Sequence, residues 1–282
     1  MIDAETKLLC IFGNPVKHSK SPLMHNAVIE KLGLNYVYTA FDIKPDDLGD
    51  AVKGIRAMGI TGVNVTIPHK ENVVKYLDYI TDEAKNIGSV NTLFFDEEGK
   101  LAGDNTDGRG FVISLMKDGG FDPKGKKSLV MGAGGASRAV CAKLVTEHIE
   151  KLSVFDIDEK KAADLIKNLK SINNNIEIVQ IFSKNELEIA AKDSDLIVNC
   201  TPIGMKEMDP ELLPETVFTG GQFVFDLIYN PEKTKLLKTA EKCGCKTING
   251  LGMLVYQGAL SFEKWTGIKP ETDIMFKTIK GE

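Results

Sequence analysis

Val130-Met131-Gly132-Ala133-Gly134-Gly135-Ala136-Ser137 stands between an apolar run, Ser128–Met131, and a segment of helical pattern, Ala136–Glu147. Glycines in such a turn let backbone N–H groups come close to a phosphate, and the helix N-terminus adds positive dipole. The spacing is that of G-x-G-x-x-G with Ser137, small but not glycine, in the third position. Strand, turn and helix in this order predict a dinucleotide site made by Gly132, Ala133, Gly134, Gly135 and Ala136. A purely structural tight turn is the alternative. The next predicted strand, Ser153–Phe155, runs into Asp156, 24 residues after Gly132. An acid there accepts hydrogen bonds from the adenosine ribose and repels a 2′-phosphate. Asp158 adds a second negative charge, and the bases Lys160 and Lys161 fall within the following helix. These residues favour NAD over NADP. Asp158 also has the position of a helix N-cap.

Outward from this turn, strand-like and helix-like segments alternate almost end to end, which predicts an α/β protein with mainly parallel sheets. Later strands are expected at Ile176–Phe182, Leu196–Asn199 and Phe223–Asp226, and closing helices at Met253–Trp265 and Thr272–Ile279. Before the turn, strands are expected at Leu8–Phe12, Tyr36–Phe41 and Val63–Ile67, and a hairpin across Asp96-Glu97-Glu98-Gly99. Ser21-Pro22 reads as N-cap and first helical residue, with Gly33 past that helix's end. Asp46–Met58 and Lys70–Ile80 read as helices.

The bulk numbers agree with a globular enzyme-sized chain. At roughly 100–200 residues per domain, 282 residues imply two domains. A net charge of −5 argues against coating nucleic acid or an anionic membrane. No apolar run approaches the ~20 residues needed to span a bilayer. Two acids precede the first apolar run, where a signal peptide needs positive charge, so a cytoplasmic location is expected. The five scattered cysteines form neither a disulfide framework nor a metal site, and no metal is expected.

Three polar clusters lie at predicted strand ends, where α/β sheets bind ligands. They are Gly13 through Asn26, with Ser19 and Ser21; Asn64-Val65-Thr66-Ile67-Pro68-His69-Lys70; and Asn91 with Gly103-Asp104-Asn105-Thr106-Asp107-Gly108. Hydroxyls, amides, one Lys and one Asp suit a polyhydroxylated anionic small molecule. Oxidising a secondary alcohol needs a hydride acceptor and a base; reducing the ketone needs the matching acid. A Lys–Asp pair can serve both directions. Taken singly, Lys70 reads as a surface lysine at a helix start and Asp107 as a helix N-cap.

Together these motifs resemble the shikimate dehydrogenase family over nearly the whole chain. The resemblance rests on His18-Ser19-x-Ser21-Pro22-x-Met24-His25-Asn26, Asn64-Val65-Thr66-x-Pro68-x-Lys70, Asn105-Thr106-Asp107-Gly108 and the glycine turn. Tyr229-Asn230-Pro231-x-x-Thr234 and Asn249-Gly250-x-x-Met253-Leu254-x-x-Gln257 add to it. It implies reversible conversion of 3-dehydroshikimate to shikimate with NAD(P). It implies that Ser19 and Ser21 bind the substrate carboxylate, and that Thr66, Lys70, Asn91, Asp107 and Gln257 surround the ring hydroxyls. Lys70 and Asp107 become the proton-transfer pair, and Tyr229 lies near substrate and nicotinamide. His18, His25 and His69 are expected to be structural. Many members carry Asn-Arg-Thr where this chain has Asp156-Ile157-Asp158, which again points to NAD and to a branch that also oxidises quinate. A catabolic quinate/shikimate dehydrogenase is the nearest rival. A non-catalytic ligand sensor should lack Lys70 or Asp107 and is disfavoured.

The implied architecture is a substrate domain over residues 1–107, a Rossmann-like dinucleotide domain over 108–249, and helices from 250 to 282 returning to the first domain. The active site is then expected in the cleft between domains, in a monomer or homodimer.

Overall fold

The computed structural model of the protein describes residues 2–281. It divides into two compact units, Met1–Thr106 with Val255–Glu282, and Asp107–Leu254. Among the described residues, no helix is long and apolar enough to cross a membrane.

The first unit runs β1 (Lys7–Gly13), α1 (Ser21–Lys31), β2 (Tyr36–Asp42), α2 (Leu48–Ala57), β3 (Gly62–Val65), β4 (Tyr79–Ile80), α3 (Asp82–Ile87), β5 (Thr92–Phe95) and β6 (Leu101–Asp104). Its sheet has the order β2-β1-β3-β5-β6-β4. β2, β1 and β3 are parallel, β5 is antiparallel to both neighbours, and β4 is parallel to β6. Leu9, Cys10, Ile11 and Phe12 of β1 are all buried, as a central strand covered on both faces requires. Cys10 and Phe12 join a core with Leu48, Val52 and Ile55, which recur along one face of α2.

Two local expectations change. Ser21 is the first residue of α1 rather than its cap; Lys20 holds the cap position, its carbonyl accepting from Met24 N at 3.2 Å. The helix expected over 70–80 is a 3₁₀ turn, Asn72–Tyr76, followed by β4. Backbone bonds from Asp78 N to Leu101 O and from Thr81 N to Gly103 O draw this segment onto β6. A long-range ladder therefore overrides a local helical pattern.

Gly62 opens β3 beneath an indole. A Cβ there would lie 2.3 Å from Trp265 Cδ1, and Trp265 is itself held by its Nε1 donating to Leu93 O at 2.9 Å. We expect Gly62→Ala to destabilise the protein by about 2 kcal/mol through overpacking. An unchanged urea midpoint would show that the indole moves aside freely.

The second unit contains α4 (Asp107–Lys117), β7 (Lys127–Met131), α5 (Gly135–Thr146), β8 (Lys151–Phe155), α6 (Glu159–Ile172), β9 (Glu177–Ile181) and α7 (Lys184–Asp193). β10 (Leu196–Asn199), β11 (Phe223–Asp226), α8 (Lys235–Lys242) and β12 (Lys246–Asn249) follow. Its sheet is wholly parallel in the order β12-β11-β10-β7-β8-β9. The chain builds outward from β7 in one direction, then returns to lay β10 on its other side. That reversal puts a topological switch point at the carboxyl end of β7, where such sheets bind ligands. α9 (Leu251–Thr266) carries the chain from this unit back into the first, where α10 (Thr272–Lys280) follows.

Candidate functional site

In the first unit, the three polar clusters are joined by backbone bonds at strand ends. Asn14 N donates to Ile67 O and Thr66 N to Phe12 O, tying the first two loops together. The close approach requires Gly13, since a Cβ there would lie 2.4 Å from Thr66 Cγ2. Val90 N donates to Lys70 O at 2.8 Å, and Val65 N to Asn91 O at 2.8 Å, joining the second loop to the third. Ser19, Thr66 and Lys70 are half-buried here, whereas Ser21 and Asn91 are buried.

Asn91 is the hub. Its Oδ1 accepts from Thr106 N at 2.9 Å and Thr92 Oγ1 at 2.8 Å. Its Nδ2 donates to Thr106 Oγ1 at 2.9 Å and Gln257 Oε1 at 3.3 Å. The amide is thus oriented, and α9 brings Gln257 to it. Asp107 follows Thr106 by one peptide bond and is 4% exposed. It is the first residue of α4, where a carboxylate is favoured by the helix dipole.

Sequence reading missed Tyr38 and Ser261, which stand behind this hub. Asn64 Oδ1 accepts from Tyr38 Oη at 2.7 Å, and its Nδ2 donates to Asn91 O and Ser261 Oγ, both at 3.1 Å. Ser261 Oγ also lies 2.7 Å from Thr92 Oγ1 and 3.2 Å from Thr106 Oγ1. A single serine in an apolar helix carries no local sign of such a role. Among the histidines, His18 is exposed, His69 Nε2 meets Ile43 O at 2.7 Å, and His25 is fully buried against Tyr38.

In the second unit, the glycine turn leaves the carboxyl end of β7. Gly132 has φ +109°, and a Cβ there would press on the Cys200 carbonyl carbon at 3.2 Å. Gly134 precedes α5 with no side chain capping the helix, and a Cβ on it would meet nothing within 4 Å. Gly135 and Ala136 begin the helix, half-buried. Open space before an uncapped helix N-terminus fits a pyrophosphate. Ser137 is used inward, its hydroxyl donating to Gly132 O, so the third motif position fastens helix to turn. Asp156 Oδ2 accepts from Ala133 N at 2.6 Å and Oδ1 from Asp158 N at 2.8 Å, which aims the carboxylate beside the turn. Asp158 caps α6, accepting from Lys161 N, so the cap role weighed against cofactor contact is the one its side chain performs here. Tyr229 lies on the loop after β11, half-buried, and burial alone raises its phenol pKa.

Comparison with known proteins bears on the family and the fold. A family model described as the shikimate dehydrogenase substrate binding domain matches residues 11–93, and one described as the shikimate 5′-dehydrogenase C-terminal domain matches 250–280. The chain is 44% identical over 281 residues to a shikimate dehydrogenase (NADP(+)) of Methanopyrus kandleri, covering 99% of this chain and 96% of that protein. A crystal structure of a shikimate dehydrogenase in complex with NADP+ superposes with a TM-score of 0.91 at 42% identity, covering 100% of this chain and 97% of the other. Shikimate 5-dehydrogenase from Listeria monocytogenes, in complex with shikimate and NAD, gives 0.90 at 36% identity, covering 99% and 98%.

Proposed function

Because the chain belongs to the shikimate dehydrogenase family, we propose that it interconverts 3-dehydroshikimate and shikimate, with NAD as the preferred hydride carrier. The observation that carries the reading is the hydrogen-bonded path in the first unit. Lys70 O binds Val90 N, the next residue Asn91 binds Thr106, and the next residue after Thr106 is Asp107. Lys70, Asn91 and Thr106 are thereby joined on one short framework, with Asp107 next in the chain.

A bound nicotinamide cofactor would supply the hydride acceptor for the alcohol and the hydride donor for the ketone. Gly132–Ala136 would hold its pyrophosphate, and Asp156 the adenosine ribose. Lys70 takes the hydroxyl proton during oxidation and returns it during reduction, with the Asp107 carboxylate steadying the ammonium. Ser19 and Ser21 hydroxyls donate to the substrate carboxylate at the start of α1. Thr66, Asn91 and Gln257 bond to ring hydroxyls, and Tyr229 covers substrate and nicotinamide. Asn91 Nδ2 already donates to Gln257 Oε1, so the two amides are oriented against each other before substrate arrives.

The cofactor preference rests on Asp156. Its carboxylate is fixed by two backbone N–H groups, so it cannot swing away from a 2′-phosphate. Of the two following bases, Lys160 and Lys161, the latter is 3.8 Å from Asp158 and exposed. Steady-state assay of shikimate and quinate with NAD and NADP tests the whole reading. We expect shikimate with NAD to give the highest kcat/KM. NADP is expected to be at least about 10-fold worse, the effect of about 1.4 kcal/mol of repulsion. Asp156→Asn should narrow that gap. Better turnover with NADP in the unmodified protein overturns the preference, and quinate as the better substrate assigns the catabolic role.

A further inference from the structure

We propose that Asp226 is a positioning residue that holds Tyr229 for the reaction by clasping the Tyr229 loop to Thr234. The proposal rests on the role given to Tyr229 above. Asp226 ends β11 and is fully buried. Its Oδ1 accepts from Ile228 N at 3.1 Å and from Asn199 Nδ2 at 3.0 Å. Its Oδ2 accepts from Thr234 Oγ1 at 2.6 Å. One carboxylate therefore grips the residue before Tyr229, the far end of the same loop and the neighbouring strand β10.

Thr234 is also the N-cap of α8, accepting from Leu237 N at 3.3 Å, so the loop's far end is fixed to a helix. The near end is fixed twice more, by Leu227 N donating to Asn199 O and by Gly250 N donating to Ile228 O. Gly250 allows that approach, since a Cβ there would lie within 1.9 Å of Leu227 O. Tyr229 itself has none of these ties. Burial alone shifts its phenol, with no hydrogen bond or charge contributing. Its position is thus set through the backbone on either side, and the three donors gathered on Asp226 set that backbone.

A buried carboxylate held only by neutral donors is costly to keep, and burial does raise the Asp226 pKa. A loop needed only for folding could be closed by an apolar contact at lower cost. The expense is accounted for if the loop must present one side chain in one place.

The test is a double-mutant cycle between Thr234→Val and Tyr229→Ala, read as kcat/KM for shikimate, with thermal melts of each variant. Thr234→Val should lower kcat about 10-fold or more, with KM changing less. Thr234→Ser, which keeps the hydroxyl, should restore most of it. In the Tyr229→Ala background, Thr234→Val should have little further effect, because the group it positions is gone. Effects that multiply, a Thr234→Ser variant as poor as Thr234→Val, or full activity in Thr234→Val each overturn the proposal. If the unmodified protein fails to turn over shikimate, the functional reading falls instead, so the two failures are distinct.

Discussion

Replacing Lys70 with alanine should lower kcat for shikimate oxidation by about 10³-fold, with KM changing by less than about 10-fold. A loss of that size is about 4 kcal/mol of transition-state stabilisation. The asymmetry follows from how Lys70 is held. Its carbonyl accepts from Val90 N at 2.8 Å, a backbone bond that truncation of the side chain leaves in place. The side chain is only half-buried, so its loss costs little in folding. The substrate-binding roles proposed for Ser19, Ser21, Asn91 and Gln257 do not involve the Lys70 side chain. Only the proton transfer lacks its group. Asp107→Asn should also lower kcat, and the double variant should be no worse than Lys70→Ala, as for groups acting as a unit. A Lys70→Ala variant with near-normal kcat ends the proton-transfer assignment.

Acid should destabilise the protein through His25 well before most carboxylates protonate. The ring is fully buried, stacked 4.3 Å from Tyr38 and flanked by Phe262 and Trp265. Neither ring nitrogen has a hydrogen-bond partner among the described residues. Desolvation lowers its pKa from 6.5 to about 3. Between those values the unfolded chain binds a proton that the folded chain refuses, so stability falls as pH falls. The contribution is complete above about pH 6.5 and is lost progressively toward pH 3. Over the full window it is on the order of 5 kcal/mol. Urea unfolding of the wild type and His25→Phe between pH 4 and 8 isolates this share. Phenylalanine keeps the stacked ring without the titration, so the two curves should diverge below pH 6.5. Parallel curves mean that His25 finds a partner for its proton.

The nucleotide unit was legible because its chemistry is local. A glycine turn, a following helix and an acid at the next strand's end are written within 30 residues, and the Asp158 cap is a neighbour effect. The catalytic candidates were legible from motifs, each a run of adjacent polar residues. What stayed hidden depends on distant partners. β4 exists because β6 offers a ladder, so Lys70–Ile80 misled as a helix. Lys246–Asn249 has few apolar residues and becomes a strand only as the edge partner of β11. Tyr38 and Ser261 look like ordinary core and helix positions until Asn64 joins them.

The division of the chain sets an order of assembly. Asn64, Thr92 and Thr106 precede the second unit along the chain, but Ser261 and Trp265 emerge from the ribosome only after the whole of it. The unit that contributes the earlier strands is therefore completed after the one inserted within it. Until α9 arrives, its polar hub lacks its hydroxyl partner and Gly62 its indole. A nascent chain halted before Val255 would carry a complete nucleotide unit and an incomplete substrate unit.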